Sequence, residues 1–78
     1  MNITYEITEE AYSSGASTHI SYGIAAYACS EDGDITIIDA IQNITADKQS
    51  LLALVALCNR LELSVLHLRE VIDDFLAS

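Results

Sequence analysis

The amino-acid sequence predicts an α+β fold in which a three-stranded antiparallel meander is followed by an antiparallel pair of helices packed on one face. Three observations support this prediction. Apolar and polar residues alternate through the first half of the chain, as they do in half-buried strands. An Asp-Gly pair, Asp32-Gly33, separates two of these alternating segments and is typical of a hairpin turn. From residue 45 to residue 76, apolar residues recur at helical spacing.

The first strand is indicated by Ile3, Tyr5 and Ile7, which alternate with polar residues. A turn follows, in which Gly15 is free to adopt a positive φ. The second strand is predicted over residues 18–29. Its apolar residues lie on one side: Ile20, Tyr22, Ile24, Ala26 and Ala28.

The third strand is predicted over residues 35–42, with Ile35, Ile37 and Ile41 on one face. A two-residue turn at Asp32-Gly33 and a first turn centred on Ser14-Gly15 fix the expected registers. The expected pairs are Glu31–Asp34, Ala28–Ile37 and Ile24–Ile41 in one hairpin, and Tyr22–Ile7, Ile24–Tyr5 and Ala26–Ile3 in the other. Both registers place apolar residues on the same face of the middle strand, which supports the meander because a one-residue slip would reverse every side chain.

Asp39 is an exception, because the predicted register places it on the apolar face opposite Ala26. Two interpretations remain open. The aspartate either marks a strand-end bulge or a bond to a helix backbone group, or it is a functional carboxylate.

The first helix is predicted to begin with Thr45 as its N-cap and to end around residues 61–63. Its buried stripe comprises Leu51, Leu54, Val55, Cys58 and Leu61, widened by Leu57. Ser64 is the predicted N-cap of the second helix, and the short connection predicts that the helices are antiparallel neighbours. The second stripe comprises Val65, Leu68, Val71, Ile72, Phe75 and Leu76, with Arg69, Glu70, Asp73 and Asp74 on the solvent side.

Length and composition limit the possible functions. The 78 residues predict a single domain over residues 1–78, and a hydrophobic content of 51% argues against a disordered chain. Three basic residues against 12 acidic ones exclude the clustered positive charge that nucleic acids and anionic membranes require. The longest apolar run, residues 51–58, is shorter than the roughly 20 residues of a membrane span. With no visible secretory signal and two widely spaced cysteines, the cytoplasm is the predicted location.

Four segments of the chain carry a resemblance to known sequences. They are Ser21-Tyr22-Gly23-Ile24, residues 43–47 (NITAD), Leu57-Cys58-Asn59 and residues 67–76 (HLREVIDDFL). Together they resemble a group of small bacterial proteins catalogued as a domain of unknown function. The resemblance covers nearly the whole chain, and its last segment is the most specific. It implies no activity and supplies no catalytic residues.

The second helix contains a candidate ligand set. His67, Glu70 and Asp74 follow one another at i, i+3 and i+7, so an imidazole and two carboxylates share one helical face. Such side chains bind metals, although three residues on one exposed helix need a second copy to close a site. The same pattern describes a solvated acidic face. The acidic end formed by Glu70, Asp73 and Asp74 has two interpretations as well, solubility or docking of a basic partner.

The two cysteines do not indicate catalysis. Cys58 lies on the buried stripe and is interpreted as an apolar filler. Cys29 lies on the other sheet face, and no neighbouring Lys or His would lower its pKa. A catalyst needs a concave site with convergent polar groups, so neither an enzyme nor a cofactor is predicted.

Two uncovered surfaces are the main functional indication. Two helices shield one sheet face, and the other face then exposes Ala25, Tyr27, Ile38 and Ala40, with Tyr27 opposite Ile38. The back of the first helix exposes Leu52 and Ala56. Contiguous apolar patches on small proteins commonly mark interaction sites. The leading hypothesis is a non-enzymatic interaction or regulatory module, foremost a homodimer; the alternative is a small-ligand or metal-binding protein that uses the His67 face.

Overall fold

The computed structural model describes residues 2–77 and shows three strands followed by two α-helices. The elements are β1 (Asn2–Ser14), β2 (Ser17–Cys29), β3 (Ile35–Thr45), α1 (Lys48–Arg60), a short 3₁₀ helix (Val65–His67) and α2 (Leu68–Ala77). The strands form one antiparallel sheet in the order β1-β2-β3. The predicted α+β layout is confirmed.

The β1–β2 hairpin is regular along its whole length. Its pairs run in continuous register from Asn2 opposite Cys29 to Ser14 opposite Ser17. The turn is therefore Gly15-Ala16, with Gly15 at φ +61°, as expected for the first position of a type II′ turn. The turn centred on Ser14-Gly15 was wrong by one residue, which moves every pair by two.

The predicted pairs in this hairpin are therefore replaced, although their faces are kept. The structure pairs Ile3 with Ala28, Tyr5 with Ala26, and Ile7 with Ile24. A shift of two residues preserves the alternation of side chains, so the predicted apolar face of β2 survives the error.

The connection from β2 to β3 is one residue longer than predicted. The Gly33 N–H donates to the Ser30 carbonyl (3.0 Å), and the Ser30 N–H donates to the Asp34 carbonyl (2.9 Å). With Gly33 at φ +88°, this is a three-residue loop closed by a left-handed glycine. Ser30 rather than Glu31 therefore faces Asp34, and the predicted two-residue turn was wrong.

The longer loop shifts the start of β3 by one residue, and a bulge at Ile38 removes the shift. Before the bulge, Ile35 lies opposite Cys29, Thr36 opposite Ala28, and Ile37 opposite Tyr27. After it, Asp39 lies opposite Ala26, and Ile41 opposite Ile24, as predicted. Two predictions were therefore wrong, since a one-residue slip reverses the face. One grouped Ile35 and Ile37 with Ile41 on one face. The other gave the pairs Ala28–Ile37 and Tyr27–Ile38.

Both helices contribute to one core on the same face of the sheet. The buried cluster comprises Tyr5, Ile24, Ala26, Leu51, Val55, Cys58, Leu68 and Ile72. The centre of each predicted stripe is confirmed. The assignments of Leu57, Leu61 and Leu76 to these stripes were wrong, because all three side chains are exposed. Leu61 is the C-cap of α1, where the chain leaves the core, and Leu76 belongs to the last turn of α2.

The helix ends depend on side-chain and backbone caps. Asp47 is the N-cap of α1, and its Oδ1 accepts from the Ser50 N–H (3.2 Å). Thr45, the predicted cap, is the last residue of β3 instead. At the other end, the Leu63 N–H donates to the Cys58 carbonyl while Glu62 takes φ +50°, so α1 ends in a Schellman motif without glycine.

The predicted cap of the second helical segment is confirmed. The Ser64 Oγ accepts from the Leu66 N–H (3.4 Å) at the start of the 3₁₀ helix, which leads directly into α2. Neither α1 nor α2, the helices of the described chain, has the length and apolar content needed to cross a bilayer.

The molecule is elongated, with extents of 47 × 28 × 18 Å. Its length reflects the β1–β2 hairpin, which continues beyond the end of β3 at Thr45, opposite Tyr22. We call the projecting part, residues 10–21, the arm. Residues 11–20 of the arm are all exposed, so neither its strands nor its turn are covered by the helices.

Candidate functional site

The sheet face turned away from the helices carries the main candidate site. We call this surface the open face; its central residues are Ala25, Tyr27, Ile35, Ile37, Ile38 and Ala40. The Ile35, Ile37 and Ile38 side chains are 69%, 61% and 40% exposed. Ala25 was predicted to be exposed on this face, which was wrong: it is buried between its neighbours and forms the floor of the surface. The exposed isoleucines of the open face therefore form an apolar stripe along β3, which we call the stripe.

Two backbone features place three isoleucines together on this stripe. The three-residue loop turns Ile35 and Ile37 toward the open face, and the bulge adds Ile38 without reversing them. A regular β3 would instead have buried alternate residues. Sequence reasoning found Ile38 and missed Ile35 and Ile37. The available signal was the run Glu31-Asp32-Gly33, which suits a three-residue loop as well as a two-residue turn.

The stripe along β3 presents no charged side chain to the open face. Asp39 lies among these residues in sequence, but its Oδ1 is 3.2 Å from Nη2 of Arg69 in α2, on the helix side. The same oxygen accepts from the Ala40 N–H (2.9 Å). Of the two interpretations of Asp39, the structure shows the bulge beside it and a contact to a helix side chain.

A shallow groove of about 380 Å³ lies beside the stripe. It is lined by Thr4, Glu6, Tyr27, Cys29 and Ile35. Glu6 contributes one carboxylate at the β1 side, so the face is acidic at one border and apolar across β3. One carboxylate among apolar groups provides a rim for a contact surface and no catalytic constellation.

The second predicted contact surface lies elsewhere in the molecule. Leu52 and Ala56 are exposed and precede Asn59 by seven and three residues, so all three share one flank of α1. The Asn59 side chain is hydrogen-bonded to the backbone of Tyr5 at the outer edge of β1. Leu52 and Ala56 therefore border the edge of the sheet and do not join the open face.

The candidate metal ligands are only partly brought together. Nδ1 of His67 is 3.5 Å from Oε2 of Glu70, and both side chains are largely exposed. Within residues 2–77, no three His, Cys, Asp or Glu side chains are grouped closely enough to bind a metal. The predicted set of His67, Glu70 and Asp74 is therefore not assembled as a site by one chain.

The two thiols lie in different environments. Cys58 is buried in the core, as predicted, and burial raises the pKa of its thiol, which disfavours the nucleophilic thiolate. Cys29 is exposed at the groove beside the open face. Its Sγ lies 3.6 Å from the Ser30 carbonyl, so the neighbouring polar group is a main-chain acceptor.

Comparison with known proteins gives one match. The model of a family described as "Family of unknown function (DUF6514)" matches residues 1–78. No curated protein matches the chain, and no solved structure does.

Proposed function

We propose that this chain, which belongs to the DUF6514 family of unknown function, is a non-enzymatic cytoplasmic interaction module that associates with a second copy of itself. The proposal is based on the exposed surfaces of the chain. The observation that supports this proposal most is the exposure of Ile35, Ile37 and Ile38 side by side on the open face. Contiguous apolar surface of this kind is typical of a contact site.

The size of the hydrophobic contribution favours a contact across the whole open face. Complete burial of one isoleucine stabilises by about 1.5–3 kcal/mol relative to full exposure. A two-fold contact covers six isoleucines, three from each copy, and because they are already partly covered they contribute together about 5–10 kcal/mol. Association costs about 4–15 kcal/mol in lost translational and rotational freedom. The two ranges overlap, so burial of Tyr27 and Ala40 in the same contact adds to the net stabilisation.

A second copy fits the open face for reasons of symmetry and charge. In a two-fold dimer the same patch meets itself, so an apolar stripe is covered by an apolar stripe. The formal net charge of -9 disfavours contacts in which carboxylates of the two copies face each other. Two copies can approach along the β3 stripe without opposing carboxylates, since Asp39 lies on the helix side beside Arg69 and Glu6 lies at the β1 border of the face.

The first prediction tests the open face with a buried charge. Replacing Ile38 by aspartate (Ile38→Asp) places a carboxylate in the centre of the contact, where it would be desolvated without a partner. We expect the weight-average mass, measured by light scattering after size exclusion, to fall relative to wild type. Ile37→Asp should act in the same way.

The matched control is Leu66→Asp. Leu66 is 84% exposed but lies in the 3₁₀ helix, away from the sheet, so the same change there should leave the mass unchanged. Far-ultraviolet circular dichroism checks that each variant is folded. A wild-type mass of 8.5 kDa by light scattering, which is that of a monomer, would contradict the proposal, and so would an equal effect of Leu66→Asp.

A further inference from the structure

We infer that the arm is a second self-association site, at which the outer edge of β1 pairs with the same edge of another copy in an antiparallel ladder centred on Ala11. This contact is distinct from the open face, because it uses the main chain of a sheet edge. It goes beyond the proposed function in naming a separate surface, a pairing mode and a register.

The arm lacks the support that the rest of the sheet has. β3 ends opposite Tyr22, so the strands of the arm have no third neighbour, and residues 11–20 are exposed on both faces. A two-stranded ribbon is marginally stable in water at best. Thirteen paired positions in unbroken register are nevertheless kept along β1 and β2. A neighbouring strand would supply the missing support.

Edge protection is stronger elsewhere in the sheet than at the arm, where it consists of Glu9 and Glu10. Bulges, charged side chains and covering helices are the devices that prevent sheet edges from pairing. β3 has two register shifts and carries Asp39 on the helix side. The edge of β1 at Tyr5 is covered by Asn59 of α1. Residues 7–14 have no shift in register and contain no proline, lysine or arginine, so the two glutamates are their charged residues.

The outward direction of the backbone groups follows from the Asn59 contact. The Tyr5 N–H donates to Asn59 Oδ1 (2.7 Å), and Asn59 Nδ2 donates to the Tyr5 carbonyl (2.9 Å). Both groups of Tyr5 therefore point away from β2. Because alternate residues of an antiparallel strand face the same neighbour, the outward residues along the free edge are Ile7, Glu9, Ala11 and Ser13.

Charge excludes two registers of the pairing. A ladder centred on Glu9 or Glu10 would oppose that carboxylate to its own copy, which destabilises a cross-strand pair. A ladder centred on Ala11 places Glu10 opposite Tyr12 and Glu9 opposite Ser13 of the second copy. Within one chain, the Tyr12 hydroxyl already donates to Glu10 Oε2 (3.0 Å), and the same kind of bond can form across the ladder.

The same register fits the length of the free edge. With Ala11 at the two-fold axis, Gly15 of the second copy lies opposite Ile7, so its turn stops short of Asn59. The residues of the incoming strand nearest to Asn59 are then Gly15 and Ser13, which are small.

Cysteine cross-linking tests the register. At the two-fold axis the two Ala11 Cα atoms would be about 5.5 Å apart, which is within the range of a disulfide. We expect Ala11→Cys, in a Cys29→Ser background, to form a covalent dimer in a glutathione redox buffer at least about tenfold faster than Ser13→Cys does. In this register two Ser13 residues are separated by four positions along the strand, so they lie out of reach.

Removal of the central amide tests the ladder itself. Ala11→Pro removes an N–H that points outward, so it leaves the β1–β2 bonds intact, whereas Ala11→Ser keeps the amide. We expect only the proline variant to lower the weight-average mass, and to do so in an Ile38→Asp background as well. Equal cross-linking of Ala11→Cys and Ser13→Cys, or an unchanged mass for Ala11→Pro with retained circular dichroism, would overturn the inference while leaving the open-face contact standing.

Discussion

At the scale of single residues, Gly23 decides how closely β2 and β3 approach. A Cβ at this position would collide with the Ile41 carbonyl oxygen and would lie 2.9 Å from the Gln42 Cα. The close approach belongs to the second register shift of β3, where Asn43 takes φ +56°. Because the atoms in conflict are backbone atoms, rotation of a side chain cannot relieve the contact.

We therefore predict that Gly23→Ala lowers the free energy of unfolding by about 3 kcal/mol, at the upper end of overpacking effects. Gly15→Ala is the matched control. Gly15 has φ +61°, but an alanine methyl group there would have no other atom within 4 Å. The cost of Gly15→Ala should therefore be limited to backbone strain, about 1–3 kcal/mol. Urea denaturation measures both values. A smaller loss for Gly23→Ala than for Gly15→Ala would contradict this assignment.

At the scale of elements, Asn59 and Tyr5 join α1 to the sheet. The Asn59 side chain bonds to both backbone groups of Tyr5, as a neighbouring strand would. The Tyr5 hydroxyl in turn donates to the Leu63 carbonyl (2.5 Å), just after the end of α1. These bonds fix the C-terminal end of α1 beside β1 and also cover that part of the strand edge.

We predict that Asn59→Ala lowers the free energy of unfolding by about 1–3 kcal/mol, since two main-chain groups lose their partners. Gln49→Ala provides the control, because it removes an exposed amide from the first turn of the same helix and should change stability little. Hydrogen exchange gives an independent measurement. The Tyr5 amide should exchange faster in Asn59→Ala, and unchanged protection would show that Asn59 does not hold this edge.

At the scale of the whole molecule, two buried ionisable groups make the fold sensitive to alkali. Burial raises the pKa of Tyr5 above its ordinary value of 10.0, and the negative charge of the neighbouring Cys58 thiolate raises it further. Burial likewise raises the pKa of Cys58 above 9.0. Raised folded-state pKa values mean that the native chain binds these protons more tightly than the unfolded chain does.

The contribution of these groups is fully present below the unfolded-state pKa values and is lost as pH rises through the folded-state ones. We therefore predict that the free energy of unfolding declines above about pH 9. Urea denaturation at a series of pH values measures this dependence. Cys58→Ala should reduce the slope at the lower end of the alkaline range. An equal slope in the variant would mean that Cys58 titrates alike in both states.

Much of the architecture was predictable because it depends on apolar periodicity. The element order, the buried side of β2 and the stripes centred on Leu51 and Leu68 follow from alternation and helical spacing. The errors lie where a single inserted residue changes the outcome. The loop before β3 and the bulge at Ile38 each add one residue, and their effects cancel beyond Asp39. A pattern with period two does not reveal such compensating insertions.

The candidate site was predictable in position and incomplete in composition. Tyr27, Ile38 and Ala40 lie on the open face as expected, whereas Ile35 and Ile37 join them only through the longer loop. Leu52 and Ala56 were recognised as exposed, but their place beside the edge of β1 depends on the Asn59 contact across 54 residues of sequence. Spacing within a helix defines a flank and does not specify what the flank faces.

The sequence by itself determined that this chain forms a three-stranded sheet covered by two helices, because burial of apolar side chains selects the period of each segment. Tertiary structure alone decided the register of β3, the closure of the β1 edge by Asn59 and the free edge of the arm. These features depend on how backbone donors and acceptors are satisfied between distant segments, and side-chain periodicity carries no record of that pairing.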